Sequence, residues 1–192
     1  MTGWCRAYLE SPNIATSIVN NCYFSGDVYG ETNIGGVVGR VGGDSAINTA
    51  NHGRGEVINS YAIGTVNGNT SAGGIAGLLW LGSINNCVAW LSSINRVEGT
   101  ATSFGRIMGT IGGTRVNNWA LSTMIVISSQ PTTGLTGNGQ NGLNALATGQ
   151  LDTESWWKTA DPGGPGWTFD DPDNGAPWVW CTTDNRPRLW WE

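Results

Sequence analysis

Lysine is nearly missing from this chain: Lys158 is the only one in 192 residues. Charged residues together make up 12%, about half the ~25% of an ordinary globular domain, so solubility rests on Asn, Ser, Thr and Gly. The charges present sum to −5, which argues against nucleic acid, because its binders need a basic stripe. There is a single histidine, His52, and no C-x-x-C pair, so zinc-site spacing is missing and no metal or other cofactor is expected. Apolar runs are short as well. None nears the ~18 residues of a membrane span, so no membrane insertion is expected, and no basic, apolar leader opens the chain.

What the chain does have is glycine and a repeat. Glycine fills 30 of 192 positions, more than twice the usual ~7%. Residues 21–39 read NCYFSGDVYGETNIGGVVG and residues 59–77 read NSYAIGTVNGNTSAGGIAG, which align without a gap. Tyr23 then matches Tyr61, and Gly35, Gly36 and Gly39 match Gly73, Gly74 and Gly77. A looser third copy runs from Asn86 and Cys87 through Val97 and Gly99 to Gly105 and Gly109, and Asn118-Trp119 opens a fourth. The markers Asn21, Asn59, Asn86 and Asn118 fall 38, 27 and 32 residues apart, the range of solenoids, propellers and arrays. Met1–Cys5 fits the end of a unit, with Gly3 lying 36 residues before Gly39. The chain therefore reads as opening inside a repeat, as a piece of a longer protein with adjoining domains would.

Each unit reads as short strands between glycine turns. Apolar and polar residues roughly alternate from Tyr23 to Val28, the period of a half-buried strand, and glycines such as Gly26 and Gly64 permit tight corners. The expected fold is all-β: a parallel β-helix (β-solenoid) of degenerate ~27–38-residue repeats, with two or three strands per coil and a Trp-rich C-terminal cap. Stability would come from rows stacking on their neighbours, with the Asn markers forming an amide ladder. The recurring GG-x-x-G lacks the Lys-Ser/Thr of a phosphate-binding loop, and it recurs in every unit, so its role is structural. Cys22 and Cys87 hold equivalent positions with Ser60 in the row between them. Strands stack ~4.8 Å apart, which puts these cysteines about 10 Å apart, beyond the ~7 Å reach of a disulfide. Both are expected as small buried thiols.

The pattern NCYxxGxVxGxxxxxGGxxG resembles the GLUG-type repeat of large bacterial surface proteins, including adhesin-like proteins. The resemblance covers residues 1–121 and departs at Arg106, which replaces the second glycine of the third copy. It implies a surface-exposed β-helical stalk or adhesive segment, located extracellularly or on the cell surface, and it supplies no catalytic residues.

After residue 121 the pattern breaks. Residues 122–150 read as a final strand near Met124–Ser128 and a linker. Residues 151–192 hold seven of the eleven tryptophans and read as a cap over the open end of the solenoid, whose bare strand edges are otherwise an aggregation hazard. Trp167, Phe169, Trp178, Trp180 and Trp190 are placed over that end. Two adjacent pairs, Trp156-Trp157 and Trp190-Trp191, are the candidate ligand-binding residues: neighbours in a strand point to opposite faces, leaving one of each pair to solvent. The cluster Asp170, Asp171, Asp173 and Asp184 lacks the bidentate Glu of a calcium loop and reads as turn chemistry.

Polysaccharide-acting enzymes also use parallel β-helices, and sugar cleavage usually needs two fixed carboxylates. In the sequence alignment Asp27 is matched by Thr65 and Arg96, and Tyr29 by Asn67 and Glu98, so no carboxylate pair falls on adjacent rows. The loop 42–56, with His52, offers no convincing catalytic triad. The function expected is a non-enzymatic structural or adhesive segment presenting loops to a glycan or a host or cell-surface protein. The alternatives are a carbohydrate-binding module using surface tryptophans, a self-assembling fibre subunit, and a β-helical polysaccharide-acting enzyme.

Overall fold

The computed structural model describes residues 4–5, 16–43, 54–99, 103–127, 141–170 and 176–192. His52, Asp171 and Asp173 lie outside the described residues, as does most of the loop 42–56. The strands in chain order are β1 (Trp4–Cys5), β2 (Thr16–Asn20), β3 (Tyr23–Tyr29), β4 (Ile34–Gly35), β5 (Val38–Val41), β6 (Arg54–Ile58), β7 (Tyr61–Gly68), β8 (Ser71–Gly73), β9 (Ala76–Leu79) and β10 (Gly82–Asn85). They continue with β11 (Val88–Arg96), β12 (Ser103–Gly105), β13 (Met108–Thr110), β14 (Thr114–Val116), β15 (Trp119–Leu121), β16 (Ile125–Ile127) and β17 (Leu143–Ala145). A short helix α1 (Glu154–Lys158) follows, then the antiparallel hairpin β18 (Trp178–Cys181) and β19 (Arg186–Leu189).

The protein is mostly β, and β1–β17 pair entirely in parallel, in four sheets. Their orders are β1-β5-β9-β13, β14-β10-β6-β2, β17-β15-β11-β7-β3 with β16 also on β11, and β12-β8-β4. Each pass of the chain visits the sheets in the same sequence, so a pass contributes four strands where the sequence pattern points to two or three. The register matches the alignment of the first two copies residue for residue, from Tyr23↔Tyr61 to Tyr29↔Asn67. Trp4 pairs with Arg40, the offset expected from Gly3 and Gly39.

Columns of like residues across the rows build the core. Val28, Val66 and Ile94 form one and Ala62, Ala89 and Ala120 another, all buried. Small residues are needed where the sheets meet: a Cβ on Gly74 would lie 2.6 Å from Ala89 Cβ, and one on Gly36 equally close to Ala62 Cβ. Gly35, Gly73 and Gly105 stack likewise. A Cβ on Gly73 would fall onto the Ala76 carbonyl and Met108 Cα, which is why the GG-x-x-G recurs.

The third copy departs from the sequence alignment. Thr65 pairs with Ser93 and Asn67 with Asn95, not with Arg96 and Glu98. The strand itself holds one extra residue, a bulge at Ser92 between Leu91↔Gly64 and Ser93↔Thr65, and the chain from Arg96 to Ser103 is longer than that from Gly68 to Ser71. Gly26 and Gly64 bend their strands with φ of +144° and +125°; the third strand has Leu91 there and bends by its bulge. Arg106 does occupy the column of Gly36 and Gly74, whose amides bond to the next row at Gly74 O and Arg106 O, both at 3.2 Å.

The fourth marker is Asn117, not Asn118. Asn21, Asn59, Asn86 and Asn117 all sit at the same corner with φ between +47° and +54°, the left-handed conformation that Asn tolerates better than most residues. Asn117 Nδ2 donates to Asn86 Oδ1 at 3.1 Å. Asn118 continues the column of Cys22, Ser60 and Cys87. Its Oδ1 accepts from the Cys87 amide at 3.0 Å, just as Ser60 Oγ accepts from the Cys22 amide at 3.2 Å. Cys22, Cys87 and Cys181 are free thiols; Cys87 is buried, whereas Cys22 is only half-buried.

The stretch 122–150 is more than a linker, since β17 joins the end of the largest sheet beside β15. There Arg106, 1% exposed, donates to Asn144 Oδ1 at 2.8 Å and to the carbonyls of Leu121 and Gly142, both at 3.4 Å. Burial lowers its pKa.

Candidate ligand surface and the aromatic layer beneath it

The tryptophan-rich segment does not lie over an open end. It folds back along the outer face of the β3-β7-β11-β15 sheet, because that face carries an aromatic column to pack against. Tyr23 and Tyr61 stack at 4.9 Å with planes 6° apart, and Trp119 continues the column in the fourth row. Tyr61 is fully buried, with Trp157, Trp167 and Trp178 at ring distances of 5.5, 6.0 and 5.7 Å. Trp119 meets Trp156 edge-on at 5.4 Å, and Trp90 meets Trp157 at 6.5 Å. Edge-on and offset pairs like these add ~0.5–1.5 kcal/mol each beyond area burial.

Several polar atoms of the layer are hydrogen-bonded, to the rows beneath or to the tail itself, whereas Trp156 Nε1 is buried without a partner among the described residues. Trp167 Nε1 donates to Asn86 O at 2.7 Å, Trp178 Nε1 to Asn21 Oδ1 at 3.0 Å and Trp157 Nε1 to Leu151 O at 2.9 Å. Tyr61 donates its hydroxyl to Pro187 O, and Asn117 Nδ2 donates to Gly164 O at 3.0 Å. Burial raises the Tyr61 pKa far above that of an ordinary phenol, so the hydroxyl stays a donor. Tyr23 donates to the Glu192 carboxylate at 2.8 Å, and its pKa is raised first by burial and then by that carboxylate.

The two tryptophan pairs separate cleanly. Trp156 and Trp157 are both buried, 6% and 0% exposed, because they lie on α1 rather than on a strand and both turn into the aromatic layer. They offer no ligand face, which corrects the expectation for that pair. Trp190 and Trp191 are both exposed, 56% and 59%. They follow β19 in a turn, with rings 5.7 Å apart and nearly perpendicular. The alternation of a strand governs neither pair. Trp167, Phe169 and Trp178 are buried and Trp180 is packed against the core.

Several charges of the tail are paired. Asp184 accepts from Arg188 and lies 3.4 Å from Arg186, and the Arg188 hydrogen bond holds its carboxyl below the usual range. Lys158 pairs with Glu154 at 2.6 Å and Asp170 at 3.7 Å, so neither described member of the acidic cluster is free for calcium. Among the described residues no group of His, Cys, Asp and Glu could hold a metal ion, and no helix is long and apolar enough to cross a membrane.

Sequence reasoning missed the amide pair of Asn95 and Asn67, where Nδ2 donates to Oδ1 at 2.8 Å; the bulge at Ser92 hid that register. It also missed a groove of about 570 Å³ on the face of β6, β10 and β14, lined among others by Arg54, Glu56, Ser83 and Thr114. No family model, no curated protein and no solved structure matches this chain.

Proposed function

We propose that the four parallel sheets close into a β-helix and that this stack is a non-enzymatic structural or adhesive segment of a bacterial surface or secreted protein. The observation that carries this reading is the unvarying order in which each pass visits the four sheets, with residue columns kept in register. Such a stack has the geometry of a scaffold. Each row buries the next, and variable corners project outward for a glycan or a cell-surface protein to meet. The corrected register supports the non-enzymatic part: Asp27 is followed by Thr65 and Ser93, and Glu56 by Ser83 and Thr114. Neither column puts the two carboxylates that glycoside cleavage usually uses on adjacent rows.

The test has two arms. Beads coated with the chain are passed over immobilised glycans and cell-surface proteins, with heat-denatured chain as the control. Selective retention of the folded chain supports the adhesive reading, and release of reducing ends from soluble polysaccharides sinks the non-enzymatic one.

A second reading, carbohydrate binding through surface tryptophans, is favoured by the exposed rings of Trp190 and Trp191. It predicts a saturable change in tryptophan fluorescence with glycan that is lost in Trp190→Ala or Trp191→Ala.

A further inference from the structure

The groove on the β6-β10-β14 face has a construction that neither reading uses. Three columns cross three rows there. Arg54, Leu81 and Gly112 line one wall, and register sets Glu56, Ser83 and Thr114 in line at the other. Between the walls runs a column of glycines: Gly55, Gly82 and Gly113. Residues between the walls turn to the opposite face of the strand, so only backbone lies between them. The glycines there serve row packing, since a Cβ on Gly82 would fall onto the Gly55 carbonyl and one on Gly113 onto that of Gly82. The result is a trough parallel to the stacking direction. Rows repeat every ~4.8 Å, close to the length of one pyranose unit, and a volume of about 570 Å³ lies within the ~300–1,000 Å³ of typical small-molecule sites.

The hydrogen-bonding groups in the walls are mixed and largely unspent. Arg54 and Glu56, two residues apart on one strand, make no ion pair among the described residues. Ser83 Oγ accepts from Asn85 Nδ2 at 3.1 Å, which leaves its own O–H to donate. Thr114 Oγ1 donates to Gly82 O at 3.3 Å, which leaves its lone pairs to accept. Asn85 Oδ1 is buried without a partner, a cost of ~1–3 kcal/mol for an acceptor of this kind.

We infer that this trough binds a neutral oligosaccharide laid along the stack, its hydroxyls meeting Arg54, Glu56, Ser83 and Thr114. A hydroxyl both donates and accepts, which suits walls offering a fixed donor, a fixed acceptor and two hydroxyls. An acidic glycan would meet the Glu56 carboxylate and a chain of net charge −5. The inference goes beyond the scaffold reading, which stands whether or not the trough is filled.

The experiment is an amide chemical-shift titration of the full chain with cellotetraose, chitotetraose and tetragalacturonate in turn. One neutral tetramer is expected to shift the amides of Glu56, Ser83 and Thr114. Arg54→Ala and Glu56→Gln should each weaken its binding about tenfold, while Trp190→Ala leaves it unchanged. Arg54 is exposed and Glu56 half-buried, and an unaltered amide spectrum outside the trough verifies that both variants fold. The inference is overturned if none of the three tetramers shifts the trough. It is also overturned if binding survives Arg54→Ala and Glu56→Gln but is lost in Trp190→Ala, or if tetragalacturonate binds more tightly than the neutral tetramers. A silent trough in a chain that still adheres to glycan-coated beads removes this inference alone.

Discussion

The indole N–H of Trp178 donates to Asn21 Oδ1 at 3.0 Å, joining the C-terminal hairpin to the first corner of the repeat across 157 residues of chain. Trp178 also stacks on Trp167 at 4.8 Å and is 1% exposed. Trp178→Ala should therefore cost ~3–5 kcal/mol in urea unfolding, the range for a large aromatic removed from a core. Trp190→Ala, on an exposed ring, should stay within ~0.5 kcal/mol of the parent. Equal losses in the two variants would contradict the placement of the aromatic layer.

Gly73 and Gly99 separate two reasons for glycine. A side chain at Gly73 strikes backbone of the neighbouring row, whereas nothing lies within 4 Å of a Cβ at Gly99, whose φ is +78°. Gly99→Ala should lose ~1–2 kcal/mol through left-handed strain alone, and Gly99→Asn should recover part of it. Gly73→Ala should cost more, with no recovery by Asn. Thermal melts of the four proteins rank them directly.

Arg106 shows what happens where the glycine column is broken. Its guanidinium satisfies the acceptors of Leu121, Gly142 and Asn144 at the end of the stack. Arg106→Met keeps much of the volume but strands the buried Gly142 carbonyl, at ~1–3 kcal/mol for a buried group left unpaired, while Leu121 O keeps the Met124 amide at 3.1 Å and Asn144 is exposed. Restoring the repeat's own residue with Arg106→Gly should be worse, because it adds a cavity. If Arg106→Gly proves more stable than the parent, the arginine is not holding that end.

Burial pushes the Cys87 thiol up to about 12 and raises Cys22 as well. Thiolate is the reactive form, so Cys87 should resist a disulfide-exchange reagent at pH 8 in the folded chain and react at once in denaturant. The folded state holds the thiol proton more tightly than the unfolded chain does, so between 9.0 and about 12 it binds more protons. Stability is thus at its full value below the unfolded pKa of 9.0 and falls as pH rises through about 12. Urea midpoints measured across that window should fall less steeply in Cys87→Ser.

Much of the fold was legible because the first two copies share every length. With no gap between Tyr23–Gly39 and Tyr61–Gly77, sequence alignment and strand register coincide. Legibility failed where length changed. The bulge at Ser92 and the longer chain from Arg96 to Ser103 displaced the reading of the third strand, and one residue of slack turned Asn117 into Asn118. The match of Tyr23 with Tyr61 was legible, but the same slip put Trp119 in the cysteine column, and nothing local showed that the tail would turn back to cover these rings, since that contact joins residues far apart in sequence. Trp156-Trp157 was misjudged because α1 spans only five residues, ESWWK, too few for a helical period to show. The trough was invisible because its walls and floor come from three rows with unlike residues at each matched position.

In a bare stack of repeats each row contacts only its neighbours, so rows can fray one at a time from either end. Here the tail touches the first row through Asn21 and Tyr23, the second through Tyr61, the third through Asn86 and the fourth through Asn117. Opening the first row alone would break its contacts with the tail, and releasing the tail would uncover the faces of all four. The rows are thereby coupled beyond nearest neighbours. Melting should be a single concerted transition rather than progressive fraying, and removal of the tail with its contacts would restore one-dimensional behaviour.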